Sequence, residues 1–419
     1  MGDSNNRILE SAFNALIFHR ISSWADMDTA LLILNAGSSS LKFAVYRADA
    51  APTQEAAYRG SVEAIGQRGR FRMLHAADPG DLTDHEVALA NHEQALQLLL
   101  DWLEARHPTL EIRAAGHRVV HGGPEYSHPV RVDDQVLAAL ERLIPLSPLH
   151  QPHNVGAIRA LARLRPGLPQ VACFDTAFHH TLPALARSFA LPREMATRGI
   201  RRYGFHGLSY EYIASVLPDY LGPMAEGKVV VAHLGFGASL CALSQRRSVE
   251  TSMSFTPLDG IPMGSRCGSL DPGVLLYLLR EEGLSLEQVD ELLHHRCGLL
   301  GFSGISGDVR TLLASDDPRA AEAIELFTYR TSQAIGSHAV ALGGLDALVF
   351  TAGVGEHAAP VRAAICQRLS WLGLDLDEAA NRAHGPGISQ ANSRVSAWVI
   401  PTNEEFVIAH HTWSLTESG

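Results

Sequence analysis

Arg118, His206 and Arg266 each stand among glycines, in Gly116-His-Arg-Val-Val-His-Gly-Gly123, Arg202-Tyr-Gly-Phe-His-Gly207 and Gly264-Ser-Arg-Cys-Gly268. Guanidinium and imidazole donors with so little steric cover can reach phosphate or carboxylate oxygens and offset charge that builds there. Taken singly, each reads first as a structural hydrogen-bond donor. Two short loops offer a seat for an anion. In Asn35-Ala-Gly-Ser-Ser-Ser-Leu-Lys42, Gly37 and three serines remove bulk, so N–H groups and hydroxyls can surround an anion while Lys42 adds a point charge. The same residues also make a polar hairpin tip. Gly353-Val-Gly-Glu356 follows the apolar run Ala347–Phe350 and precedes a helical pattern, which is how a helix N-terminus meets a phosphate. It also fits an ordinary strand-to-helix turn.

Two look-alikes fail. Gly222-Pro-Met-Ala-Glu-Gly-Lys-Val229 has valine where a Walker loop needs Ser or Thr for Mg²⁺, and a strand pattern follows it. Gly235-Phe-Gly-Ala-Ser-Leu240 lacks the third glycine of a dinucleotide fingerprint. The 21 histidines raise the question of a metal, but His117 and His121 flank a strand-like Val-Val pair. His179-His180, His294-His295 and His410-His411 have no carboxylate at ligand spacing, so no structural zinc site is expected.

The elements that must position these groups alternate short apolar runs with helical periods. Strands are expected at Leu31–Leu34, Phe43–Tyr46, Val119–Val120, Val171–Phe174, Val229–Ala232, Ala347–Phe350 and Ala397–Ile400. Helices are expected at Glu86–Arg106, Gln135–Ile144, Val155–Leu164, Tyr210–Tyr220, Val274–Glu282, Leu286–His295 and Ala320–Leu342, with Pro272 opening one helix and Gly298 closing another. This is an α/β protein with sheets flanked by helices. Leu31–Leu41 and Val229–Leu240 repeat one design, strand, small-residue turn and strand, which points to an internal duplication.

Length and charge narrow the choice. With 419 residues, 46% hydrophobic and 19% charged, the chain has material for two or three globular domains. The net charge of −11, with no basic run, makes nucleic acid or an anionic membrane an unfit partner, and no apolar stretch is long enough to span a bilayer. Five scattered cysteines suit a reducing cytoplasm. Residues 1–26 differ from the rest and carry neither a secretory core nor a myristoylation signal. They read as a short appendage of unknown role or as a start assigned upstream of Met27.

Taken in order, the segments from Leu31-Leu-Ile-Leu-Asn-Ala-Gly-Ser-Ser-Ser-Leu-Lys-Phe43 to Ile400-Pro-Thr-Asn-Glu-Glu405 closely resemble the acetate kinase family. That family belongs to the acetate and sugar kinase/Hsp70/actin superfamily. Between these ends lie Gly116–Gly123, Phe174-Asp-Thr-Ala-Phe-His179, Arg202–Gly207, Phe255-Thr-Pro-Leu-Asp-Gly260, Ser303-Gly-Ile-Ser-Gly-Asp-Val-Arg310 and Phe350-Thr-Ala-Gly-Val-Gly-Glu356. The resemblance implies two duplicated actin/Hsp70-like (ribonuclease H-like) domains with mixed sheets around a central cleft. Residues 27–175 would form the first, completed by 404–419, and 176–403 the second, nucleotide-binding one, with the chain crossing near Asp175–His179. It also implies a homodimer and reversible transfer of a phosphoryl group from ATP to acetate, giving acetyl phosphate and ADP with Mg²⁺ or Mn²⁺.

The roles carried over by position are as follows. Arg118, Asp175, His206 and Arg266 match catalytic positions; Val120, Leu149, Phe205 and Pro257 match the pocket for the acetate methyl, where Arg118 also holds the carboxylate. Lys42, His233, Leu234, Gly235, Phe236, Gly237, Asp308, Val309, Arg310, Gly353, Val354, Gly355, Glu356 and His357 match nucleotide positions, and Asn35 and Glu404 match metal positions. Three residues depart from the family pattern: Phe236 and His357 where asparagine is usual, and Ser269 where aspartate is usual. The departures leave open a propionate or butyrate kinase, or a phosphoryl donor other than ATP.

Overall fold

Leu31, Leu32, Ile33 and Leu34 are all buried, so the first strand reads as a continuous apolar run rather than an alternating one. The computed structural model describes residues 28–76 and 78–417. They fall into two units. The first holds the described residues up to Gly122, His128–Phe174 and those from Asn403 on; the second holds Gly123–Ser127 and Asp175–Thr402. The expected N-terminal extension, residues 1–26, lies outside the described residues.

In the first unit, β1 (Thr29–Ala36) pairs antiparallel with β2 (Leu41–Arg47) and parallel with β6 (Glu111–Val119). β3 (Tyr58–Glu63), β4 (Arg68–His75) and β5 (Asp78–Ala88) extend the antiparallel side; β8 (Gln170–Phe174) runs parallel beside β6, and β7 (Val130–Arg131) closes the edge. Leu32, Leu34 and Ala115 share a core with Leu96, Leu99 and Leu103 of the helix His92–Arg106 and with Ala157 and Leu161 of the helix Gln151–Leu164. Gly116 shows what lies on the opposite face: a Cβ there would come 2.2 Å from Thr412 Oγ1 and 2.6 Å from Ile408 Cγ2. The missing side chain lets the C-terminal helix Glu404–Glu417 lie against β6.

In the second unit, β9 (Lys228–Leu234) pairs antiparallel with β10 (Ala238–Ser244) and parallel with β12 (Ala347–Thr351). β11 (Arg247–Thr251) adds to β10 and β13 (Ser396–Val399) to β12. The order β11-β10-β9-β12-β13 therefore repeats β3-β2-β1-β6-β8, strand sense for strand sense. The expected duplication is present as a topology. The helix Pro318–Leu342 begins on the Asp317 cap with proline at its start and ends at Gly343, φ 66°.

Several boundaries differ from expectation. The helix expected over Glu86–Arg106 begins only at His92; Glu86, Val87 and Ala88 pair in β5 with Arg70, Gly69 and Arg68. Asn91 caps the helix by accepting from Gln94 N at 3.0 Å. β6 stops at Val119 because Val120 N–H turns to Asn154 Oδ1. The helix expected to Ile144 ends at Arg142, and Pro145 makes the next turn 3₁₀. The helix after Pro272 ends at Arg280 rather than Glu282. Gly298 does not close a helix; it opens the short helix Gly298–Ser303, with Arg266 and Met263 backbone where its Cβ would be.

Candidate active site

In the first unit the expected groups sit at the C-terminal ends of β1 and β6. Asn35 pairs with Lys42 in the β1–β2 ladder, and Lys42 is exposed. Arg118 Nη1 donates to Asn35 Oδ1 at 3.2 Å. A buried amide pair fixes this end of the sheet. Asn154 accepts from Val120 N at 3.0 Å and donates to Ala36 O at 2.9 Å, while Gln151 accepts from His121 N and donates to His121 O. Both amides lie on the helix Gln151–Leu164, so that helix holds the ends of β1 and β6 in place. Val120 is buried and Leu149 half-buried. Glu404 opens the C-terminal helix behind Asn403, whose Oδ1 accepts from Phe406 N and from Arg59 Nη2 at 3.2 Å each.

In the second unit a left-handed turn links Asp175 to His206. His206 has φ 57°, unusual for a residue with a side chain. Gly207 N–H donates to Asp175 O at 2.8 Å, and a Cβ on Gly207 would sit 2.1 Å from that oxygen. Phe205 is buried, its carbonyl accepting from His179 Nε2 at 2.9 Å. The His206 ring stacks on His233 with centroids 4.2 Å apart and planes at 19°. Each imidazole uses Nδ1 on a serine: His206 on Ser239 Oγ and His233 on Ser209 Oγ, both 2.8 Å. Tyr210 Oη lies 2.5 Å from Ser239 Oγ and extends the first chain.

The glycine loop between β9 and β10 is where these donors meet. A Cβ at Gly237 would lie 3.4 Å from His206 Nε2 and 3.7 Å from Arg266 Nη1. Two cationic or hydrogen-bonding heads thus converge beside one residue that has no side chain. Arg266 Nη1 also donates to Pro257 O at 3.1 Å, which ties it to the expected methyl-pocket residue Pro257. Gly235 N–H is already given to Gly237 O at 3.2 Å. The Phe236 ring lies over backbone: a Cβ on Gly264 would be 2.5 Å, and on Gly307 3.1 Å, from its Cε2, yet the residue is 63% exposed.

The remaining nucleotide candidates border this loop. Asp308 follows Gly307 and caps the short helix Val309–Leu313, accepting from Arg310 N at 2.7 Å. The Arg310 guanidinium, 2.9 Å away, holds the Asp308 carboxyl below its ordinary range. Gly353, Val354, Gly355, Glu356 and His357 are not a loop before a helix; they belong to the helix Ala352–His357, which starts at Ala352 with φ 64°. A Cβ on Gly235 would be 3.8 Å from Ala352 Cβ. Glu356 Oε1 accepts from Thr402 N, and His357 is exposed.

Ser209, Tyr210, Ser239 and Arg362 do not stand out in the sequence. Arg362 is 0% exposed and donates to Gly355 O and Glu356 O at 2.9 Å each, to Asn381 O at 2.7 Å and to Asn381 Oδ1 at 2.8 Å. It fastens the Ala352–His357 helix from beneath. His117 and His179 are fully buried, and burial pushes both imidazoles down to about 4, so both are neutral near pH 7.

Residues 30–410 match the family model of the Acetokinase family. The chain belongs to that family. It is 54% identical over 397 residues to an acetate kinase of Rhodopseudomonas palustris, covering 94% of this chain and all of that one. Among solved structures it is similar to the Porphyromonas gingivalis acetate kinase, with TM-score 0.83, 35% identity, and 92% and 99% of the two chains covered. It is also similar to a propionate kinase from Francisella tularensis, with TM-score 0.86, 36% identity, and 92% and 100% covered. The chain is thus a phosphotransferase acting on a carboxylate, built on two mixed sheets of repeated strand order.

Proposed function

We propose that the protein transfers a phosphoryl group reversibly between ATP and acetate, giving acetyl phosphate and ADP. Family membership supports the reaction, and the convergence of His206 Nε2 and Arg266 Nη1 on Gly237 is the observation that carries the assignment of residues. A carboxylate is already ionised at pH 7 and needs no general base. Its difficulty is approach to an anionic triphosphate, so catalysis reduces to alignment and charge cancellation on the metaphosphate-like group in flight. Arg118 holds the carboxylate through its planar fork. Arg266 and His206 donate to equatorial oxygens of the transferring group, and the Ser239–Tyr210 chain aims the imidazole. Asp175, bound through its backbone to the His206 turn, orients the donors, while the Gly235–Gly237 and Gly353–His357 segments, Asp308–Arg310, His233 and Lys42 hold the nucleotide.

Asn35 and Glu404 offer hard oxygen donors, the type Mg²⁺ takes when nucleotide phosphates and waters fill most of its shell. The ion supplies neutralisation of phosphate charge when bound. Val120, Leu149, Phe205 and Pro257 are the residues proposed for the apolar seat of the methyl group. One methylene is worth only about 1–3 kcal/mol in such a seat, and similarity to a propionate kinase keeps that acid in the test. A hydroxamate assay with acetate, propionate and butyrate against several phosphoryl donors decides it: acetate with ATP should give the highest kcat/KM. Absence of turnover with every acid overturns the reading.

The chain is further proposed to act in the cytoplasm as a homodimer. All five cysteines are free thiols, and no described helix is long and apolar enough to cross a membrane. The helix Pro272–Arg280 buries none of its residues and exposes Val274, Leu276 and Tyr277, an apolar face of the sort that a second copy covers. Tyr277→Asp should shift the mass measured by light scattering from two chains to one.

A further inference from the structure

Beside the segments that carry Asp175 and His206, the second unit forms a cavity of about 260 Å³ that opens to the surface. Its lining includes Thr176, His180, Arg187, Arg201, Arg202 and Tyr203, and among the described residues no carboxylate lines it. Three guanidinium groups therefore face one small space in a chain of net charge −11. Arg202 is committed: it pairs with Glu250 at 2.7 Å and donates to Ala186 O and Thr251 O. Among the described residues, Arg187 and Arg201 pair with no carboxylate, and Arg201 has only the Tyr203 side chain beside it. Arg187 makes no side-chain hydrogen bond or ion pair among the described residues, and Arg201 lies with its guanidinium carbon 5.0 Å from the Tyr203 ring centre. Arg201 Nε is buried and has no acceptor. A buried N–H without an acceptor is costly, and an oxyanion is one of the few things that relieves it.

We propose that this cavity is a second oxyanion site, with a lining distinct from the residues assigned to phosphoryl transfer, and that it takes a small multivalent oxyanion through Arg187 and Arg201. Two guanidinium forks match the oxygens of inorganic phosphate or of a short dicarboxylate. A monovalent halide offers neither the charge nor the oxygen geometry. Thr176 is the residue after Asp175, and Tyr203 stands three residues before His206. An anion held there joins the two segments that carry them, so its occupancy stiffens the framework of the reaction without touching the reacting atoms.

The test uses the full chain without nucleotide, titrated with phosphate, with succinate and with chloride at constant ionic strength. Melting temperature and amide hydrogen exchange are read together. Phosphate should raise the melting temperature saturably and slow exchange in peptides spanning residues 176–187 and 199–203. Arg187→Gln and Arg201→Gln should each weaken that response at least tenfold, and Arg266→Ala should leave it in place. Arg187→Gln removes a half-buried side chain with no partner, so it reports even where Arg201→Gln folds poorly. Protection by phosphate alone, or by phosphate and succinate, sustains the site and fixes its class. The proposal falls if chloride at the same ionic strength stabilises the chain as much as phosphate does. It falls equally if protection gathers around residues 233–237, vanishes in Arg266→Ala and ignores Arg187→Gln; that pattern would leave the assigned reaction intact.

Discussion

Arg266 and His206 owe their proposed role to a residue that lacks a side chain. A Cβ at Gly237 would stand in contact with both heads, 3.4 Å from His206 Nε2 and 3.7 Å from Arg266 Nη1. Removing one preorganised donor to a developing charge costs about 10²–10³ in rate. Arg266→Ala and Arg118→Ala should thus each lower kcat by at least about 100-fold with unchanged circular dichroism; near-normal turnover in either folded variant ends the mechanism. Phe236 poses a separate question on the donor side. Its ring rests on the backbone of Gly264 and Gly307 and offers no hydrogen bond, while Gly235 N–H is spent inside the loop. An asparagine amide there adds a donor, and a hydrogen bond to a charged group is worth about 1.5–3 kcal/mol. Phe236→Asn should lower the KM for ATP several-fold in initial-rate measurements. An unchanged KM would show that the side chain at 236 takes no part in nucleotide binding.

At the scale of elements, helix ends do the positioning. The helix Gln151–Leu164 sends two buried amides to the ends of β1 and β6, and Arg362 braces the helix Ala352–His357 from below. The C-terminal helix depends on Asn403, which caps it through Phe406 N and ties it to Arg59 and to Gln54 O. Loss of an asparagine cap costs about 0.5–2 kcal/mol. Asn403→Ala should lower the melting temperature by a few degrees and, because Glu404 is the next residue, raise the Mg²⁺ concentration needed for half-maximal rate. A variant with wild-type melting behaviour would show that the helix is held by its contact with β6 alone.

For the molecule as a whole, buried neutral histidines set the acid limit. His117, bonded to Gln170 Oε1 at 2.7 Å, and His179 are held near 4 by burial, below the ordinary value of 6.5. Because the folded value is the lower one, the unfolded chain takes up protons first as pH falls. The stabilisation is complete above about pH 6.5 and is lost as pH drops toward 4. Between pH 7 and pH 5 each histidine should cost about 2 kcal/mol. Urea midpoints at the two pH values measure the loss, and His117→Gln should make the acid slope shallower. An unchanged slope would place the acid sensitivity elsewhere.

The sequence alone determined what depends on local order. Six apolar runs mark strands that form and Val119 only the end of a seventh, the repeated strand–turn–strand design marks the duplicated sheets, and the spaced glycine motifs mark the family. Local order also holds two further signals: Arg68-Gly-Arg-Phe-Arg-Met alternates exposed and buried residues as β4, and Asn91 with Gln94 marks the true start of the helix expected from Glu86. Tertiary structure alone decided which distant residues meet. His206 and Ser239 are 33 residues apart, and Arg362 reaches Asn381 across 19. Arg187 and Arg201 come to share a cavity only through the path of the chain around it. Periodicity records which side of an element is buried, whereas the partner of a polar group is fixed by how the elements pack, and packing leaves no mark at the spacing of a motif.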